Sequence, residues 1–289
     1  FGPLLLTGGL RADHTQSVIG FFRAEDIGGN LVAETDTSDR SDWAVNWRAG
    51  AKFSASRRLE LRAAAYTGIR LPTLNELYRP FVVFPVVTRA NAELENERLE
   101  GFELGLDWYP TREVAISVTA FDNRVENAIA NVTLEPNLRQ RQNLPAIDAQ
   151  GVEATAFVVL NKVSLDASLA YTDATIDGSG ASVALDGNRP PQTPEFAASA
   201  TLAYEPAEGV RLAGTFRHTA AQFEDDQETD RLAPATTLDL FASAALTQGV
   251  SLVLRAENIF DEEIFTRNAG GAIDLGAPRT VWAGVRVGF

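Results

Sequence analysis

Apolar residues recur at every second position in about twelve segments of this chain, and the connections between the segments are alternately short and long. In GFELGLDWY, Phe102, Leu104, Leu106 and Trp108 share one side, while Glu103, Gly105 and Asp107 share the other. The stretches Trp43–Phe53, VSLDASLAY and TLDLFASAAL repeat the pattern. Successive strand side chains point to opposite faces, so each segment has one apolar and one polar face. The segments begin near Gly2, Trp43, Arg58, Gly101, Glu113, Gly151, Val163, Glu195, Val210, Thr236, Ser251 and Arg279. Short turns such as Pro110–Thr111 and Asn161–Lys162 alternate with long polar stretches: Asp13–Asp42, Leu71–Glu100, Asn123–Gln150, Asp177–Thr193, Ala221–Pro234 and Thr266–Pro278. A parallel pair requires a crossover of about a dozen residues or more, so the short turns dictate antiparallel neighbours. The chain is expected to be all-β: an antiparallel meander with its long loops at one end.

Two architectures use such strands. Compact soluble domains rarely carry several unstructured loops longer than ~15 residues. Outer-membrane barrels do, and their strands are apolar outward and polar inward. A soluble sandwich or lipocalin-like barrel also alternates, and periodicity does not say which face is outside. The last strand favours the membrane. Val281, Ala283, Val285, Val287 and Phe289 share a face, opposed by Trp282, Gly284, Arg286 and Gly288. A terminal aromatic suits the membrane interface. The longest apolar runs, such as FVVFPVV, fall far short of the ~20 residues of a membrane helix.

Composition removes other classes. The 289 residues include no cysteine, which excludes disulfides and Cys-based metal sites. A net charge of −14 argues against a nucleic-acid partner. Met is absent, and the opening FGPLLLTGG has neither initiator nor signal peptide, as expected of a piece of a longer protein. The only histidines are His14 and His218. His218 shares the parity of Leu212 and Phe216, away from any nucleophile in the lumen, so no catalytic residues are expected. The acidic run Glu224–Asp230 lacks EF-hand spacing and reads as a solvated loop, so no metal site is assigned.

Three stretches resemble the TonB-dependent outer-membrane receptors. YTGIRLPTLNELYRPF (Tyr66–Phe81) is similar to the family's F-R-x-P-[ST]-x-x-E-L-Y signature, with Leu71 where Ala is frequent. NAELENERLEGFELGLDW (Asn91–Trp108) resembles N-P-x-L-x-P-E…E-x-G, with Ala92 and Asn96 replacing the prolines. ENIFDEEIF…GAPRTVWAGVRVGF resembles the terminal N-L-F-[DN]…G-x-P-R…F pattern. The resemblance implies a transmembrane β-barrel of 22 strands around an N-terminal plug. The twelve strands here correspond to its C-terminal half, so residues 1–289 form part of one barrel domain without the plug or the first strands. It further implies an outer-membrane location in a Gram-negative bacterium and active uptake of a ferric siderophore or a similar large chelate, such as cobalamin or haem. A passive porin-like channel is the alternative. The implied partners are outer-membrane lipid and lipopolysaccharide, the TonB energy-coupling complex through the missing N-terminal part, and the barrel-assembly machinery. For the last, Gly284, Val287 and Phe289 resemble the recognition signal, with Trp282 at a position that is usually polar. No resident cofactor is implied, because the iron chelate is cargo.

Candidate ligand contacts follow from an arginine's bidentate donation to carboxylate or catecholate oxygens and from aromatic stacking. These are Tyr78, Arg79 and Arg89 in the Leu71–Glu100 loop, and Arg139 and Arg141 in RQRQN. Polar-face residues Arg48, Arg62, Glu103, Asp107, Arg217 and Arg255 are candidates for lining the lumen and holding a plug, beside Glu153, Asp166, Arg211 and Asp239. Glu76 is expected to make a structural hydrogen bond within its motif.

Overall fold

The computed structural model describes residues 3–18, 20–37, 39–269 and 272–288. Twelve long strands follow one another in a single antiparallel order. They are β1 (Leu4–Ser17), β2 (Arg40–Ser56), β3 (Leu59–Arg70), β4 (Glu97–Trp108), β5 (Val114–Glu135) and β6 (Leu138–Leu160). Then come β7 (Val163–Asp177), β8 (Phe196–Tyr204), β9 (Val210–Thr219), β10 (Ala235–Thr247), β11 (Val250–Glu257) and β12 (Thr280–Val287). Every neighbouring pair is antiparallel, the meander expected from the short turns. Among the described residues β1 and β12 do not pair with each other, so the sheet is open.

One element departs from expectation. The polar stretch Asn123–Gln150, read as a loop, is the outer half of β5 and β6, which run for 22 and 23 residues. They meet in a tight turn at Pro136–Asn137, where Asn137 takes φ of 61°. The polar composition misled because both faces of this extension are covered by other loops instead of by lipid. The remaining outer connections carry structure of their own. Hairpins form at Gly20–Glu25 with Leu31–Thr37, Phe81–Val83 with Val86–Arg89, Gln222–Phe223 with Arg231–Leu232, and Phe265–Ala269 with Ala272–Leu275. A short helix, α1 (Leu74–Tyr78), and a 3-10 turn at Gly180–Leu185 complete them.

The structure settles which face is outside. Along the strands the apolar parity is solvent-exposed: Leu104 is 53% exposed, Leu202 55% and Val281 72%. The polar parity is the more enclosed, as in Asn46 (8% exposed). A soluble sheet protein buries its apolar face, so this inverted amphipathy identifies a wall that meets hydrocarbon outside and water inside. The apolar band has a definite height. On β6 and β7 it runs from the Leu160–Val163 pair through Val158–Leu165, Ala156–Ala167 and Ala154–Leu169 to Val152–Tyr171. On the same face the next pairs are Gln150–Asp173 and Asp148–Thr175, where charge begins. Nine residues at about 3.4 Å each, tilted as in membrane barrels, span the ~25 Å of such a band. No helix among the described residues is long and apolar enough to cross a membrane.

Ala167 is the central outward residue of this band, and Ser168 faces the lumen beside Thr155 and Ser199. Ala167→Arg is expected to destabilise the intact protein in lipid by about 2–4 kcal/mol, and Ser168→Arg by much less. Folding titrations in vesicles measure both, and equal penalties would contradict the assignment of faces.

Candidate functional site

The lumen face is built of side chains that reach across several strands over glycines. Arg62 holds Asp107 with two bonds, Nε to Oδ2 at 2.7 Å and Nη2 to Oδ1 at 3.2 Å, and donates also to the Ser117 and Thr119 hydroxyls. Its guanidinium lies over Gly105, where an added Cβ would sit 2.7 Å from Cζ. The Tyr66 hydroxyl donates to Glu103 at 2.8 Å, its ring lying over Gly101. Arg217 pairs with Asp239. Arg255 is stacked between the rings of Phe241 and Trp282, 5.8 and 4.9 Å from their centroids. Arg48, opposite Tyr66 in the register, has no ion pair among the described residues. Every one of the six lumen candidates therefore lies on the same face, four of them already engaged with wall residues and Arg255 held by aromatic stacking.

Beyond the membrane band, the β5–β6 extension is the core of an outer cap. Ala128, Val132 and Leu144 pack with Ile176 and with Leu185 of the β7–β8 connection. On the opposite parity Arg141 is buried, its Nη1 donating to the carbonyls of Asn75 and Arg79 while its guanidinium lies over the Phe81 ring at 5.0 Å. The strand Val86–Arg89 adds in parallel to Leu138–Gln140, so the β3–β4 connection folds onto the extension. Asn143 fixes the same connection through the amide and the carbonyl of Glu95. Asp226, in the β9–β10 connection, is buried and accepts from the Thr133 amide at 2.8 Å and from its hydroxyl. The Asn188 side chain donates to the Asp226 carbonyl, tying in the β7–β8 connection as well.

Helix α1 is set by a capping box: Thr73 accepts from the Glu76 amide, and Glu76 accepts from the Thr73 amide and hydroxyl. Glu76 also pairs with Arg70, which bridges to Glu97. Partial burial pushes the Glu76 carboxyl up, but the Thr73 and Arg70 hydrogen bonds outweigh it and hold it below the usual glutamate range. The structural role expected for Glu76 is what the geometry provides. In the terminal motif, Asn258 is buried, donates to the Glu262 and Ala277 carbonyls and accepts from the Glu262 amide. Asp261 accepts from the Arg279 amide, so this motif shapes the entry into β12.

The backbones of the five expected ligand contacts lie close, Arg139 pairing with Thr88 beside Arg89 and Arg141 reaching the Arg79 carbonyl, but their side chains differ in exposure. Arg141 is enclosed as a clamp, a correction to its expected place at an open mouth: buried, its guanidinium lies against backbone carbonyls and a ring. Partial burial pushes the Asp225 carboxyl up, but the Thr229 and Asp230 hydrogen bonds, helped by nearby Arg139, outweigh it and hold it low. Tyr78 is half-buried on α1, and Arg79 and Arg89 are exposed. The run Glu224–Asp230, expected to be solvated, contains two of the most enclosed carboxylates among the described residues, Asp225 and Asp226. The partners of Asp226 and Asn143 lie 93 and 48 residues away, so no local stretch of sequence shows these two ties. Gly284 lies on the lumen face of β12 opposite Val253, Val287 pairs with Val250, and Phe289 falls outside the described residues.

An inverted, open meander with an elaborated outer cap defines part of the wall of a transmembrane receptor barrel. The chain belongs to the family described as TonB dependent receptor-like, beta-barrel, which matches residues 1–259. This is a family of receptors and transporters, and its β-barrels are outer-membrane proteins. The vitamin B12 transporter BtuB of Photobacterium profundum is 24% identical over 78% of this chain, and the match covers 36% of that protein. The ferric yersiniabactin uptake receptor FyuA of Yersinia pestis superposes on 99% of this chain and 43% of its own, with a TM-score of 0.79 at 18% identity. The siderophore receptor PiuA of Acinetobacter baumannii does so with 0.76 at 17% identity, over 99% of this chain and 41% of its own. The chain thus spans little more than a third of the length of the curated relatives it matches.

Asp226→Ala would leave the enclosed Thr133 amide unpaired, a local loss of about 1–3 kcal/mol. Hydrogen exchange should accelerate in residues 130–135 and 224–230 together, and acceleration confined to the mutated loop would contradict the tie between them. Because the Glu76 carboxyl is depressed, its contribution is present above the ordinary glutamate range and lost as pH falls below it. Exchange of the α1 amides should therefore rise on acidification, and Glu76→Gln should remove that pH dependence.

Proposed function

We propose that this chain is part of an outer-membrane receptor that imports a large metal chelate, a ferric siderophore or a chelate such as cobalamin or haem, driven by the TonB energy-coupling complex. The observation that carries this reading is the pairing of an inner face lined by large polar side chains with an ordered outer cap, in a chain of the TonB-dependent receptor family. The cap would capture cargo, and the lumen wall at Arg48, Glu103, Arg217 and Arg255 would meet the plug contributed by the rest of the protein. Arg79, Arg89, Tyr78 and Arg139 would be the side chains that meet cargo. Gly284, Val287 and Phe289 would present the last strand to the barrel-assembly machinery, and lipopolysaccharide would surround the outer rim. The test is uptake of radiolabelled ferric and cobalt chelates by cells whose sole chelate receptor is the intact protein. Uptake should stop on collapse of the proton-motive force. Uptake that persists would make the protein a passive channel.

A further inference from the structure

The net charge of −14 is not spread evenly. Above the apolar band, each of the six outer stretches (13–42, 71–100, 122–150, 173–195, 221–236 and 257–279) holds more acidic than basic residues. The remaining strands and turns carry a small positive excess, so the outer half accounts for more than the whole imbalance. Several of the basic groups that do occur there are engaged, Arg124 between Asp148 and Asp177, Arg141 on carbonyls, Arg267 on Asp274 and the Phe84 carbonyl, while Arg79 and Arg89 are exposed within an acidic surround.

A separate observation concerns a cavity of about 700 Å³ between β1, β2, α1 and the start of β4. Leu71, Leu74 and Leu77 form its apolar side. The polar side carries three carboxylates, Asp39, Asp42 and Glu95, against two cations, Arg40 and Arg98, and several of its donors are turned into the wall. Arg40 donates to the Ala92 and Leu94 carbonyls, the Asn96 amino group to Asp42, and the Asn127 amino group to Glu95. Arg98, the remaining cation of the lining, faces Glu126 across the β4–β5 register. The volume falls within the ordinary range for small-molecule sites.

From these two observations we infer that this cavity is a cargo contact and that the receptor selects neutral or cationic chelates bearing N–H donors, and rejects polyanionic ones. The inference rests on the importer reading for its cargo, not for its charge. A surface of one sign raises the local concentration of counter-charged ligands and lowers that of like-charged ones, steeply with ionic strength.

Two measurements on the intact protein test it. In the first, Leu74→Cys places a thiol on the cavity wall, and modification by a cationic and an anionic methanethiosulfonate of similar size is timed. Relative to a free thiol, the cationic reagent should react about tenfold faster at low salt, with the ratio falling as salt rises. A ratio of one or below overturns the charge assignment, and this readout needs no transport. In the second, a neutral ferric tris-hydroxamate and a trianionic ferric tris-catecholate compete for uptake. The neutral chelate should prevail at low salt, and Glu95→Gln should narrow the gap. Preference for the trianion overturns the inference while leaving the importer reading intact. Uptake of neither chelate, with the thiol ratio as expected, overturns the cargo assignment and leaves a carboxylate-lined cavity in a negative field.

Discussion

A β-strand that enters hydrocarbon has no water to satisfy its amides, so its backbone must be paired on both sides by neighbouring strands. Everything else in this chain is arranged around that requirement. The strands run without interruption through the band, the turns on one side are short, and irregular backbone is confined to the other side. The same requirement inverts the usual distribution of side chains. Leucine, valine and aromatic residues face outward, and the arginines and carboxylates face in. The inner face then packs by its own rule: Arg62 over Gly105 and Tyr66 over Gly101 place a long polar side chain where the neighbouring strand offers no Cβ.

Outside the band the physics reverts to that of a soluble domain. Apolar residues cluster, donors find acceptors, and carboxylates are enclosed. The extension of β5 and β6 is covered on one parity by Leu185 and on the other by α1, which its own Arg141 holds. Three connections that are distant in sequence therefore share one support. The negative sign of this region is not an accident of one loop, because all six outer stretches contribute to it.

Much of the wall was legible in the sequence. Alternation placed the strands, turn lengths placed the meander, and parity placed Arg62, Glu103, Asp107, Arg217 and Arg255 on one face, since a period of two is a local property. Glu76 was legible too, as a structural hydrogen-bonding residue of its motif, although its partner Thr73 was not. What sequence could not convey was the cap. Asn123–Gln150 looks like a loop because its strands are covered by other loops and so do not alternate as lipid-facing ones do. Arg141 looks like a free cation until α1, from a different connection, closes over it. Asp226 looks solvated until Thr133 is brought to it. Each of these depends on contacts between residues tens of positions apart, and no window on the sequence contains both partners.

The shared support under the outer connections bears on how such a protein can change. If each connection stood alone on its hairpin, new recognition could be acquired by exchanging one of them. Here the β3–β4, β7–β8 and β9–β10 connections interlock on the β5–β6 extension, so a graft of any one would arrive without its buried partners. The heritable module is the extension together with its three dependants. Receptors of this build should diversify by exchanging that block whole, or by altering the exposed tips that the block leaves uncommitted.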